Sequence, residues 1–369
     1  MNSRLLAKTM LGRRLVYIDV LKSIAILFMI EVHTSAILAP SNIPKSSFIA
    51  LIAASIGGLA APLFVTMSGW SAQHSLKNKQ GKKTSNSSIY YWLLCRFTFL
   101  FICQFIVNIT ANHVFHWNSP GILSLLAICT LISFPLSKIK IKTKLIILIL
   151  ILITPISNNY LFELNGNWDS LIYVNSLSDF ILKIFFNGTY PLFPWLSFFI
   201  LGGILRESEK NVNYKLFLCG LTCSISFMIF SVITGKYWAL TQGDAVLTFF
   251  PPSTGFIVTA NSTVLIMYIL FKKYNHKFES NPWVLSFTKI GKITLTIYLL
   301  HFIPLRFLSY YDQSEWEFTY ILIITLIYTF LWWPLSNIHD KYFSKFSLET
   351  LLRYILAKKN IQSTTVRDS

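Results

Sequence analysis

The sequence predicts an all-α polytopic membrane protein with about ten transmembrane helices and a short amphipathic C-terminal helix. Three observations carry that expectation. The 369 residues are 54% hydrophobic and only 13% charged, about half the charge of a soluble domain. Apolar runs long enough to span a bilayer recur along the whole length. Basic residues also fall in alternate loops, with about 24 of the 32 Lys and Arg on one side, the bias that marks the cytoplasmic face. The formal charge of +17 thus reflects membrane topology rather than a nucleic-acid partner.

The chain begins with a basic segment, Arg4, Lys8, Arg13 and Arg14, which should be cytoplasmic. The first apolar run, to about Leu38, is interrupted by Asp19, Lys22, Glu31 and His33. Those charges and the lack of a small-residue cleavage site argue for a retained span rather than a signal peptide. Ionisable residues at such depth cost about 2.5–3.5 kcal/mol each on insertion scales, so they face protein or a wet cavity. At about 100° per residue, Lys22 and His33 return to within about 20° of one helix face, and Asp19 lies within about 60° of it. Asp19, Lys22 and His33 therefore form one polar ridge, with His33 roughly 16 Å deeper than Lys22. Glu31 points to nearly the opposite face and needs another partner.

After an outer loop with Pro40, Pro44 and Lys45, a second span runs from about Ser47 to Gln73, with Gly57, Gly58 and the group Ser68-Gly69-Trp70 allowing close helix approach. A cytoplasmic loop is expected to hold Lys77, Lys79, Lys82 and Lys83. Span 3 runs from about Tyr91 to Thr110 with Arg96 near its inner end, and span 4, Pro120 to Leu136, returns to the basic run Lys138 to Lys144. Span 5 exits near Asn158. The segment Asn159 to Thr189, with Glu163, Asp169 and Asp179, reads as an outer cap or re-entrant element. Spans 6, 7 and 8 cover Tyr190–Arg206, Tyr214–Thr234 and Ser253–Phe271, with an outer loop through Gly235 and Asp244. Span 9, about Trp283 to Leu308, carries Lys289, Lys292, Tyr298 and His301, and span 10 is Phe318 to Asn337. Residues 1–338 thus make a transmembrane domain, and 339–369 a basic cytoplasmic tail in which Leu348, Leu351, Leu352, Ile355 and Leu356 recur at helical spacing. Both termini fall inside. The five cysteines lie in predicted spans with no histidine cluster beside them, so neither disulfides nor a metal site is expected.

The segment DVLKSIAILFMIEVH resembles the Arg/Lys-x10-His first helix of integral-membrane acyltransferases: the acyltransferase-3 proteins and the bacterial relatives of heparan-α-glucosaminide N-acetyltransferase. Further pieces resemble the second branch in the same order: APLFVTMSGWS, YPLFPWLSFFILGG, FPPS, GKITLTIYLLHF and the tail FSLETLLR. Lys22 stands where most members have Arg, keeping charge without the planar fork. Ser23 stands where Gly is common, so local packing should differ. The resemblance implies a multi-pass protein of a bacterial cytoplasmic membrane that moves an acyl group, usually acetyl, from cytosolic acyl-CoA to an acceptor outside, commonly a glycan or glycolipid.

On that reading His33 is the general base that takes the acceptor's proton, since neutral imidazole suits the task. A transient acyl-histidine is a variant, and a packed core histidine the alternative. Lys22, paired with Asp19, would meet a CoA phosphate or the thioester region; otherwise it snorkels to headgroups. Arg96, Lys289 and Lys292 would bind CoA phosphates or act as interfacial anchors. His301, at a depth like that of His33, is a second catalytic group or a packed polar residue. A transporter or flippase of a glycan or lipid precursor, and a non-catalytic envelope component, remain the other classes.

Overall fold

A computed structural model describes residues 15–38, 48–162, 168–208, 214–233, 249–311 and 316–365. The N-terminal basic cluster, Pro40, Pro44, Lys45, Glu163, Gly235 and Asp244 lie outside the described residues. Among those described the protein is entirely helical. In chain order the α-helices are α1 (Val16–Leu38), α2 (Phe48–Gly81), α3 (Asn86–Thr110), α4 (Ile122–Lys138), α5 (Ile141–Ile151), α6 (Thr154–Phe162), α7 (Trp168–Ile172), α8 (Leu177–Leu182), α9 (Leu192–Glu207), α10 (Tyr214–Ile233), α11 (Thr254–Lys273), α12 (Asn275–Ser280), α13 (Pro282–Phe287), α14 (Thr294–Leu300), α15 (Phe302–Leu308), α16 (Phe318–Tyr342) and α17 (Leu348–Thr365).

Six of these stretches are long and apolar enough to cross a membrane, or eight if each of two bent pairs counts as one span. The bent pairs are Leu177–Asn187 with Leu192–Glu207, at 50°, and Pro282–Lys292 with Thr294–Leu308, at 67°. The expected ten would further need Ile122–Lys138 and α10, whose apolar stretch includes Leu218–Phe230, to cross. The second span runs past its expected end: Lys77 and Lys79 sit on the last turns of α2 rather than in a loop. Nothing in Leu76 to Gln80 breaks a helix, and the turn comes only after Gly81.

Small residues let the central helices touch. At Gly69 of α2 a Cβ would overlap the carbonyl of Phe199, and at Gly202 of α9 one would overlap the carbonyl of Thr66. The two backbones are therefore in direct contact, as small residues permit in membrane helices. At the basic end of the bundle polar groups tie α9 to both α2 and α5. Lys144, 2% exposed, donates to Glu207 Oε1 at 2.5 Å, and Gln73 Nε2 donates to the same oxygen at 2.5 Å.

Sequence reasoning treated span 9 as continuous; it is broken. Ile290–Lys292 forms a turn of 3₁₀-helix, and Ile293 (φ −128°, ψ 37°) separates it from α14. Three neighbours hold the break. Ser23 Oγ on α1 accepts the Gly291 N–H at 2.8 Å, and its own hydrogen can go to Asp19 O or Phe287 O, at 2.9 and 3.0 Å. Gly291 sits so close to the Asp19 carbonyl that a Cβ would overlap it. On α16, Asn337 accepts from Ser286 at 2.9 Å, and Trp333 donates to Ser286 at 3.1 Å. From α17, Glu349 reaches the first amides of α14.

The segment expected as an outer cap folds against the 111–121 turn. Ser119 donates to Ile172 O at 2.7 Å and Trp168 Nε1 to Val114 O at 3.1 Å. Its C-terminal part, α8 continued by π-helix Lys183–Asn187, forms the first limb of the 50° bent pair.

Candidate active site

At the basic end of the bundle α1, α2, α3, α4, α14, α16 and α17 line an open cavity of about 940 Å³. Its walls carry Asp19 and Lys22 from α1, Arg96 from α3, Lys292 from the break, Asp340 from α16 and Arg353 from α17. Of the cations singled out from the sequence, Lys22, Arg96 and Lys292 share this one cavity. Lys289 does not line it: its Nζ sits 3.3 Å from Asp340 Oδ2, while Lys292 Nζ is 3.5 Å from Asp340 Oδ1. One carboxylate thus serves two ammonium groups. Arg96 lies over the Trp92 ring at 5.0 Å, and Lys79 approaches the same ring at 5.0 Å, contacts that favour a cation.

His33 and His301 lie deeper and touch each other. His33 Nδ1 is 2.8 Å from His301 Nε2, with the rings nearly parallel at 8°. His301 is fully buried. Its Nδ1 is 3.2 Å from the carbonyl of Ile297, which can only accept, so with both rings neutral the Nδ1 carries the hydrogen. His301 Nε2 is then a lone-pair nitrogen, His33 Nδ1–H donates to it, and the lone pair of His33 rests on Nε2. One carbonyl oxygen thereby sets the tautomer of both rings. The Tyr328 hydroxyl donates to the His301 carbonyl at 2.7 Å and holds that backbone in place.

Neither histidine lines the cavity. Phe64, which does, stacks on Tyr298 with ring centroids 6.2 Å apart. Tyr298 in turn lies 6.2 Å from His33. A chain of two aromatic rings therefore links the wall of the basic cavity to the histidine pair. On the far side Phe302 lies 4.8 Å from His33, and contacts at 6.3 and 6.0 Å continue through Phe115 to Trp168. Glu31, buried on the other face of α1, has an Oε2 with no hydrogen-bond partner among the described residues.

Sequence reasoning missed Glu349, Tyr328 and the use of Ser23. The tail piece FSLETLLR and the departure at Ser23 were the available signals. What they touch depends on the break in span 9, which apolar periodicity does not show.

The described residues thus form a helical bundle with several stretches long and apolar enough to cross a membrane, a basic cavity, and two touching histidines, His301 buried and His33 half-buried. Residues 14–233 match the family described as heparan-alpha-glucosaminide N-acetyltransferase, catalytic, and with more than half its length matched the chain belongs to that family. No curated protein matches the chain. The matched residues contain Asp19, Lys22, His33 and Arg96; Lys289, Lys292, His301 and Glu349 lie beyond them.

Proposed function

We propose that the protein transfers an acetyl group from cytosolic acetyl-CoA to the amine or hydroxyl of an extracytoplasmic glycan or glycolipid, with His33 as general base. The observation that carries this reading is the stacking of two sites along α1. A large cavity with several cations lies at the basic end, and a paired imidazole lies roughly 16 Å further along the helix. The phosphates of CoA suit Lys22, Arg96 and Lys292, because a basic vestibule concentrates a polyanion by attraction. Asp19, on the same wall, is the carboxylate placed to orient Lys22. Lys289 acts through Asp340 rather than by direct contact.

The pantetheine arm then has to pass Phe64 and Tyr298 to bring the thioester to His33. The acceptor amine or hydroxyl attacks the thioester carbonyl, and His33 Nε2 takes its proton. As the C–S bond breaks, the CoA thiolate leaves and receives that proton. His301 steadies the imidazolium by accepting from Nδ1–H, the role an orienting partner plays beside a general base. The family description makes the amine of a terminal glucosamine the first acceptor to try.

The test is transfer of labelled acetyl from acetyl-CoA to glucosamine by the purified protein in lipid nanodiscs. Product formation that needs both substrates and is lost in His33→Ala supports the reading. Binding of acetyl-CoA without transfer to amine or hydroxyl acceptors would sink it.

A further inference from the structure

We infer that Glu349, on the C-terminal helix α17, is a positioning residue for the histidine pair, a role that rests on the acetyl-transfer reading. The break at Ile293 leaves the first amides of α14 without intrahelical acceptors. Glu349 supplies them from outside the helix. Its Oε1 accepts from the N–H of Leu295 at 2.7 Å and of Thr296 at 3.3 Å, and its Oε2 accepts the Thr296 hydroxyl at 2.6 Å. Thr296 Oγ1 in turn accepts the Leu348 N–H at 2.9 Å, so the two helix starts are tied in both directions.

What lies at the other end of α14 gives the contact its meaning. The helix has only seven residues, Thr294–Leu300, and the residue after it is His301. The His301 N–H donates to Ile297 O at 3.0 Å, the carbonyl that also fixes its ring. Six residue steps of helix, about 9 Å, therefore link the Leu295 amide that Glu349 holds to the residue whose ring holds His33. The charge sign adds a second point. Glu349 faces a cavity where Lys22, Arg96, Lys292 and Arg353 outnumber Asp19 and Asp340, and a further carboxylate with idle lone pairs there would repel a phosphate-bearing substrate. Here three donors on α14 engage it, so the charge is spent on the helix start.

The experiment combines a structural and a kinetic arm. Hydrogen exchange of residues 294–301 is measured in wild type and Glu349→Gln in nanodiscs. Acetyl transfer to glucosamine is measured for Glu349→Gln in both the wild-type and the His301→Ala backgrounds. Glu349→Gln should speed exchange in 294–301, lower kcat roughly tenfold to a hundredfold as a small misplacement does, and leave the donor KM unchanged. In the His301→Ala background the same substitution should change kcat little, because its effect passes through His301. Thr296→Val, which removes one of the three donors, should act in the same direction more weakly and serves if Glu349→Gln does not fold. Unchanged exchange, an equal kcat loss in both backgrounds, or an effect confined to the donor KM would each overturn the assignment. A wild-type protein that transfers no acetyl would remove the reaction, and exchange alone would then decide the cap, unchanged exchange overturning it.

Discussion

At the scale of single residues the two histidines divide one task. If His33 holds the catalytic lone pair, His33→Ala should lower kcat by roughly 10²-fold or more, a typical general-base contribution, while the donor KM stays level. A folded His33→Ala protein with near wild-type turnover would remove it from the mechanism. Lys22→Arg should keep activity and Lys22→Ala should not, read as the donor KM. Arg96→Gln and Lys292→Gln should each raise that KM more than they lower kcat; Lys289→Gln should do less, since Asp340 stands between it and the cavity. Helical geometry alone placed Asp19, Lys22 and His33 on one ridge, because 3.6 residues per turn is a property of the chain. That His33 would meet His301, and that Lys289 would turn away to Asp340, depend on the packing of remote segments, which spacing does not contain.

At the scale of elements the broken span is the main lesson. Apolar periodicity found a stretch from Trp283 to Leu308 and gave no sign that it bends by 67°, because each half is apolar in its own right. Ser23 is where the break is most open to test. Ser23→Ala leaves the Gly291 N–H buried without its acceptor, a loss of about 1–3 kcal/mol, and should lower the thermal unfolding midpoint in detergent. Gly291→Ala should destabilise further, since its Cβ has to displace the Asp19 carbonyl. Equal midpoints for both variants and wild type would show that the break is held elsewhere. The aromatic step between the cavity and the histidines gives another prediction. Phe64→Trp should slow kcat with the donor KM little changed, if the acyl arm must pass that ring.

At the scale of the whole molecule we propose that the charge bias orients the bundle, turning the basic end and its 940 Å³ cavity to the cytoplasm. In a cysteine-free background, an impermeant thiol reagent added from outside should reach Asp169→Cys and miss Lys79→Cys and Lys140→Cys. The reverse pattern would put the cavity on the outer side. Composition and loop charge made the membrane class and the helical fold legible. The number of spans was less so, since two bent pairs and the 17-residue helix Ile122–Lys138 look like ordinary spans in a hydropathy profile.

The buried contact between Lys144 and Glu207 has a consequence in time. The ammonium group is made 63 residues before its carboxylate, so a nascent chain at α5 carries a cation with no acid to meet it. Buried in the bundle as Lys144 is, an unpaired ion costs several kcal/mol. Lys144 should therefore stay among headgroups and water during synthesis, and α5 should pack onto the bundle only once α9 has entered. Delayed protection of α5 relative to α2 in stalled ribosome–nascent chain complexes would reveal that order, and Glu207→Gln should lengthen the delay.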